Sequence, residues 1–133
     1  MNKFKGLMTS LSPHWETPGY LYAQLDREFN FNFDPCPLHS KVNGLTIPWG
    51  LSNFINPPYG REIGKWIAKA YSEAQGGALC VLLIPSRTDT KWWHDYIMKA
   101  DEIRFIKGRL KFGDSKNSAP FPSCVVIFKG VNK

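Results

Sequence analysis

Seven consecutive apolar residues, ALCVLLI at Ala78 to Ile84, constrain the fold more than any other stretch of this chain. A strand with one solvated face alternates apolar and polar residues, whereas a strand covered on both faces is a continuous apolar run. Gly76 and Gly77 precede the run and Pro85 ends it, and both residue types interrupt regular structure. The run therefore predicts a strand buried within a parallel sheet.

Amphipathic segments surround this strand. Apolar residues at three- and four-residue spacing predict helices over about 18–29, 63–75 and 90–99. We expect Thr17 to cap the first helix, with Pro18 at its first position, and Thr90 to cap the third. Further strands or extended pieces are predicted at 31–34, 45–48, 52–55, 102–106 and 124–128.

Strands that alternate with helices indicate a wound α/β sheet, in which ligands bind beyond the carboxyl ends of the strands. Asp34 and Asn56 each follow such a strand end. The 133 residues, 43% of them hydrophobic, predict one domain over 1–133, with 1–14 as an irregular lead. The apolar runs are too short to span a bilayer and the three cysteines are widely spaced, so we expect a cytoplasmic protein without disulfides.

The sequence NPPY at Asn56 to Tyr59 carries the most specific chemical signal. Because proline lacks an N–H and has a fixed φ, Pro57 and Pro58 hold the carbonyls of Asn56 and Pro57 rigidly. With the Asn56 side chain, these carbonyls offer convergent acceptors beside the flat ring of Tyr59. Such a site suits a planar base with an exocyclic –NH₂, whose lone pair can attack an electrophilic methyl group once both hydrogens are accepted. The same acceptors stabilise the positive charge that develops on the nitrogen.

The formal charge of +6 is concentrated towards the end of the chain. Four basic residues and no acid lie between Arg104 and Lys111. Three of them, Lys107, Arg109 and Lys111, begin a long segment, residues 107–123, here called the basic loop. Such a cluster can bind the phosphates of a nucleic acid, although a solvated hairpin is the simpler explanation. Charge alone leaves both interpretations open.

Six segments spread over about residues 15–128 carry the strongest family signal. They are WETP at 15–18, FNFDPCP at 31–37, NPPYG at 56–60, LLIPSRTDTKWWH at 82–94, RFIKGRLKFG at 104–113 and APFPS at 119–123. Taken together, these segments resemble the phage- and prophage-type DNA N6-adenine methyltransferases (the Dam-like family), which use S-adenosylmethionine.

The resemblance implies that the catalytic loop is Asn56, Pro57, Pro58 and Tyr59. The residues it implies for cofactor binding are Thr17, Pro18, Asp34, Pro35 and Asn56. Since a base within a duplex is unreachable, the adenine would be flipped out or unpaired, with Tyr59 on one face and Phe112 or Phe121 as the other wall. The residues expected at DNA phosphates are Arg87, Lys91, Lys107, Arg109 and Lys111.

The chain departs from methyltransferases in general at the cofactor loop. No glycine follows Asp34 until Gly44, and only 21 residues separate Asp34 from Asn56. This spacing leaves no room for two full βα units, so we expect a minimal Rossmann-like methyltransferase sheet with a reduced cofactor half and a C-terminal antiparallel hairpin. A homodimer is one way to complete the reduced half.

Alternative interpretations remain open from the sequence. The chain could be a degenerate, non-catalytic DNA-binding module, or could methylate another planar amine in cytosine, RNA guanine or protein glutamine. Asp34 could instead cap a helix, and Tyr59 could be an aromatic residue at the edge of the core. Cys36 and His39 have ligand-like spacing without a second pair, so we expect no metal site.

Overall fold

The computed structural model describes residues 16–37, 43–113 and 118–130, so the expected lead at 1–14 and His39 lie outside the described residues. Within the described ranges the helices are α1 (Gly19–Phe29), α2 (Ile63–Gln75) and α3 (Lys91–Asp95), with 3₁₀ turns at Gly44–Thr46 and Ile97–Lys99. The strands are β1 (Ser52–Ile55), β2 (Leu79–Pro85), β3 (Glu102–Phe105) and β4 (Ser123–Phe128). No helix in these ranges is long and apolar enough to cross a membrane.

The four strands form one mixed sheet in the order β1-β2-β4-β3. β1 and β2 are parallel, as expected, whereas β4 is antiparallel to both β2 and β3, so the parallel pairing predicted around the apolar run holds on one side of β2 only. The α/β class and the antiparallel pairing of the last two strands are confirmed. The central position of β2 explains its continuous apolar sequence.

Alternate residues of β2 supply the two halves of the core. Cys80, Leu82 and Ile84 pack on the face that α2 and α3 cover. Val81 and Leu83 pack on the opposite face, against α1 and apolar residues of the basic loop. All five side chains are fully buried, and burial of each large aliphatic side chain contributes about 1.5–3 kcal/mol. The sheet is therefore held from both sides, and its strand ends are fixed in position.

A buried asparagine fixes the start of β1 against β2. The Asn53 Oδ1 atom accepts from the Gly50 N–H at 2.8 Å, and its Nδ2 group donates to the carbonyls of Gly50 at 2.9 Å and Leu79 at 3.0 Å. A buried amide with these bonds has its polar atoms satisfied. Asn53 is thus a structural residue, three positions before the asparagine of NPPY.

The segment at 31–34 is shorter than the predicted strand. It makes one parallel bridge, between Phe33 and Asn53, in which the Phe54 N–H donates to the Phe33 carbonyl at 3.0 Å. Pro35 follows and has no N–H to continue the ladder, which limits the pairing. Asp34 still leaves the sheet beside β1, as the sequence indicated.

Two helix predictions need correction. α1 begins at Gly19 with Pro18 as its N-cap, and the prediction of Thr17 as the cap was wrong because its hydroxyl contacts Asn56 instead. Thr90 does cap α3, accepting from the Trp93 N–H at 3.3 Å. However, α3 ends before Tyr96, whose φ of −124° is not helical and whose ring packs on Tyr71.

The extended piece predicted at 45–48 is largely a turn. The Asn43 Oδ1 atom accepts from the Leu45 N–H at 3.0 Å, and the Thr46 hydroxyl donates to the Asn43 carbonyl at 2.9 Å. These bonds favour a 3₁₀ turn over an extended chain. Extended geometry begins only at Ile47.

Candidate active site

Asp34, Asn56 and Ser86 each follow one of three adjacent parallel segments. The segment ending at Asp34 lies parallel to β1, Asn56 follows β1 directly, and Ser86 follows β2. The carboxyl ends of parallel strands lie at the same edge of a sheet. The three residues therefore share the edge at which ligands bind in α/β sheets.

The loop after β1 is held from several directions. Pro57 is fully buried, and Pro58 is partly buried. The Asn56 Nδ2 group donates to the Thr17 hydroxyl at 2.9 Å, and the Tyr59 hydroxyl donates to the Leu83 carbonyl at 3.2 Å. The loop is thus fixed at its start to the segment that precedes α1 and at its end to β2.

Tyr59 contacts both of the aromatic residues that we predicted from the sequence as walls of the base pocket. Its ring meets Phe121 at 5.4 Å and Phe112 at 6.3 Å, in both cases edge to face. Burial, with a smaller contribution from the nearby Cys124 thiol, raises the pKa of Tyr59 well above its usual range. Tyr59 therefore stays neutral and cannot act as a base near pH 7.

The two phenylalanines occupy different environments. Phe112 is 5% exposed and packs in the core with Leu21 and Leu25 of α1. Phe121 is only partly buried and lines an open cleft of about 450 Å³ together with Tyr59. The cleft continues along residues 85–89, which follow β2, and its volume is within the range of ligand sites. Of the two, Phe121 is the one that a ligand in this cleft meets.

Asp34 is partly buried at the sheet edge that it shares with Asn56. Burial raises the pKa of its carboxyl, and the hydrogen bond that its Oδ1 atom accepts from the Cys36 N–H, at 2.9 Å, counters this in part. This is a local turn, and no helix follows within 35–37, so the helix-cap alternative was wrong. Burial also raises the pKa of the Cys36 thiol to about 11, which excludes it as a thiolate nucleophile near neutral pH.

The turn after Asp34 is packed against a glycine. A Cβ atom at Gly44 would collide with the Pro35 carbonyl and lie 2.9 Å from the Trp66 ring. Trp49 donates its indole N–H to the Gly44 carbonyl at 2.8 Å, which holds this close approach in place. The position of Pro35 thus depends on the absence of a side chain at residue 44.

The basic loop alternates between buried and exposed residues. Leu110 and Phe112 are buried. Arg109, which precedes Leu110, and Lys111, which lies between the two buried residues, are exposed. The Ala119 N–H donates to the Leu110 carbonyl at 2.7 Å, which joins the two described parts of the loop. The loop is therefore anchored in the core and presents its cations to solvent.

The predicted phosphate contacts are not equivalent. Among the described residues, Arg87, Lys107, Arg109 and Lys111 are exposed and make no ion pair. Arg87 also lines the cleft. Lys91 is paired with Asp95 on its own helix, which leaves it less available than the other four.

Comparison with known proteins bears on the family of this chain. The family model described as DNA N-6-adenine-methyltransferase (Dam) matches residues 6–131. The chain belongs to the Dam family. It is similar to the DNA N-6-adenine-methyltransferase of Haemophilus phage HP1 (strain HP1c1), with 27% identity over 135 residues, which cover 86% of this chain and 78% of the relative. No solved structure matches the chain.

Membership of the Dam family makes the chain an adenine-specific DNA methyltransferase by class.

Two contacts in this Dam-family chain were not predicted from the sequence. One is the hydrogen bond from Asn56 to Thr17, and the other joins the Gly113 N–H to the Glu16 carbonyl at 2.9 Å. The partners in each contact lie 39 or more positions apart, and periodicity does not indicate pairs at such a distance. The WETP segment was the signal in the sequence that could have pointed to residues 16 and 17.

Proposed function

We propose that this chain transfers a methyl group from S-adenosylmethionine to N6 of an adenine in DNA, with the base flipped out of the duplex or already unpaired. The observation that carries the proposal is the position of Asn56. It follows β1 at the edge shared with Asp34, and its loop leads into the cleft beside Tyr59. Family membership gives the reaction class.

In this proposal, Asn56 and the rigid carbonyls of its loop accept hydrogen bonds from the adenine amine. Accepting both hydrogens keeps the nitrogen lone pair available, and the same fixed acceptors stabilise the charge that develops on the nitrogen. No strong base is needed, which agrees with a neutral Tyr59 and a protonated Cys36. Pro57 and Pro58 serve to keep the acceptors in place as the reaction proceeds.

The cleft is the proposed location of the extruded base. A base lying in it would contact the rings of Tyr59 and Phe121, and the buried position of Phe112 gives that residue a supporting role. Extrusion of a base costs a few kcal/mol, which stacking on aromatic side chains offsets in part.

The residues at the neighbouring strand end fit a cofactor with hydroxyl and ammonium donors. Asp34 supplies a carboxylate beside β1, and Pro35 and the Thr17–Pro18 segment lie at the same end of the sheet. S-adenosylmethionine, when bound, supplies the electrophilic methyl group. Asp34, Pro35 and Pro18 would orient it towards Asn56, whereas Thr17 would act through its hydrogen bond to Asn56.

The exposed cations would hold the DNA backbone. Arg87 at the cleft, with Lys107, Arg109 and Lys111 on the basic loop, are the proposed phosphate contacts, and Lys91 would contribute once released from Asp95. Such contacts orient the duplex and carry no base information. We propose activity in the cytoplasm of a bacterial host, where this substrate is found.

We also propose that the sheet is a minimal Rossmann-like methyltransferase sheet. Beside β1 the described residues supply one bridged segment at Phe33, in the position where a larger cofactor half would begin. A homodimer would complete this half, which sedimentation with and without the cofactor would test.

The catalytic assignment is tested by replacing Asn56. Asn56→Ala should lower kcat for DNA methylation by about 100- to 1000-fold, because it removes a preorganised acceptor. The matched control is Asn32→Ala, which removes an exposed asparagine whose Oδ1 atom accepts from the Ser52 N–H at the opposite end of β1. Equal kcat values for the two variants would contradict the assignment.

A further inference from the structure

The carboxamide of Asn56 has two chemically different arms, and the structure shows which one is engaged by Thr17. The Nδ2 group donates to the Thr17 Oγ1 atom at 2.9 Å, across 39 positions of sequence. A carboxamide is planar, so this bond directs the Oδ1 atom away from Thr17. For an amine substrate the acceptor arm is the useful one, since an N–H group facing another N–H group is unfavourable.

We propose that Thr17 is a positioning residue for Asn56, and that its segment connects Asn56 to the basic loop. This inference rests on the proposed function. Thr17 would not react itself; it would hold the plane of the carboxamide so that its acceptor arm meets the substrate amine.

The surroundings of Thr17 suit this role. A threonine just before a helix ordinarily caps it, but α1 has no side-chain cap, and the Thr17 hydroxyl contacts Asn56. Pro18 is buried, and its carbonyl accepts from the N–H groups of Leu21 and Tyr22 at 3.1 Å each. Thr17 is therefore fixed to a helix whose other contacts lie in the core.

The same segment is held on its other side by the basic loop. The Gly113 N–H donates to the Glu16 carbonyl at 2.9 Å, one residue before Thr17. Gly113 has a φ of +55°, and a Cβ atom there would lie 3.2 Å from the Glu16 Cβ atom. A side chain at residue 113 would strain the backbone and press on Glu16. Displacement of the loop would therefore reach Asn56 through Glu16 and Thr17.

The first test compares Thr17→Val, which keeps the shape but removes the hydroxyl, with Thr17→Ser, which keeps the hydroxyl. Thr17→Val should lower kcat about tenfold, the effect of one net hydrogen bond, with KM for DNA and for cofactor roughly unchanged. Thr17→Ser should restore most of the rate. The side-chain amide signal of Asn56 in ¹⁵N spectra should shift in the valine variant and return in the serine variant.

The matched control is Ser52→Ala. Ser52 donates its hydroxyl to the Phe29 carbonyl at 2.9 Å, so this change also removes one hydroxyl bond between the β1 and α1 regions, but at the far end of the strand. It should leave kcat close to the wild-type value.

The link to the loop is tested by Gly113→Ala. Introduced alone, this change should lower kcat at saturating DNA. Combined with Thr17→Val, it should lower kcat little further, because both changes act on one connection. If the two changes lowered kcat independently, so that their effects on the activation free energy added in full, the proposed link between the basic loop and Asn56 would be overturned.

Several outcomes separate this inference from the proposed function. If the wild-type protein does not methylate DNA, the proposed function fails. If it does and Thr17→Val keeps its kcat, the positioning role fails while the proposed function stands. A raised KM for the cofactor with unchanged kcat would likewise overturn the positioning role and make Thr17 a cofactor contact.

Discussion

Arg104 on β3 and Glu28 on α1 form a two-point ion pair, with both guanidinium–carboxylate contacts at 2.7 Å. Arg104 also donates to Glu102 at 2.7 Å and lies over the ring of Phe29, 5.5 Å from its centre. Of the four cations between 104 and 111, this one is therefore committed to joining the first helix to the edge strand. Its proximity in sequence to the basic loop does not make it a DNA contact.

Arg104→Ala should accordingly affect stability and not DNA binding. The pairs are partly exposed, so we expect the free energy of unfolding to fall by up to about 1 kcal/mol. Glu28→Gln should have a smaller effect of the same sign. Denaturant unfolding measures this change, and a weaker DNA affinity in Arg104→Ala at constant stability would contradict it.

Neutralising the exposed cations should affect DNA binding and not stability. Lys107→Ala with Arg109→Ala should weaken DNA binding across all sequences and flatten the log–log dependence of affinity on salt by about one to two units. Arg104→Ala is the matched control, since it removes a cation from the same stretch. An unchanged salt dependence in the double variant would reduce the loop to a solvated surface.

The fold was predictable where the signal is local. Apolar periodicity located α2, and the run at Ala78–Ile84 located the central strand, because burial on both faces requires such a run. The antiparallel pairing of β4 with β3 was expected, but the direction of β4 relative to β2 was not predictable in this way. A buried strand has the same apolar sequence whether its neighbour is parallel or antiparallel, so Cys124 to Phe128 carries no mark of direction.

The candidate site divides in the same manner. Asn56 and Asp34 were identified from strand ends and from residue chemistry, and the structure brings both to one edge. The separate environments of Phe112 and Phe121 could not be predicted, because they depend on how the basic loop packs against α1. The contact between Thr17 and Asn56 is likewise a product of tertiary packing.

Phe112 and Phe121 should respond differently to truncation. Phe112→Ala should lower the free energy of unfolding by about 3–5 kcal/mol, because it empties a buried site. Phe121→Ala should cost less stability and lower turnover by removing one wall of the cleft. Thermal unfolding and methylation rates measured on both variants test this division, and the reverse pattern would move the base to the side of Phe112.

Asp34→Asn should raise the stability of the fold and weaken the binding of the cofactor. Burial raises the pKa of Asp34, so the ionised carboxylate costs free energy in the folded state. Below about pH 4 the group is protonated in both states and the variant has no advantage; the advantage develops as the pH rises through the raised folded pKa. The asparagine can still accept from the Cys36 N–H.

Cofactor affinity in Asp34→Asn should nevertheless fall about tenfold or more, since a charged acceptor is lost. Calorimetry with S-adenosylmethionine measures this, and melting curves at about pH 3, where the aspartate is protonated in both states, and at about pH 7 measure the stability change. Unchanged affinity would leave Asp34 with a purely local role in its turn.

The most direct test of adenine N6 methylation identifies the methylated atom. Purified protein is incubated with S-adenosylmethionine carrying an isotopically labelled methyl group and with duplex or single-stranded DNA. The DNA is then digested to nucleosides for mass spectrometry. We expect label in N6-methyladenine, and a yield about 100- to 1000-fold lower with Asn56→Ala. Label in cytosine, or DNA that is bound but not labelled, would contradict it.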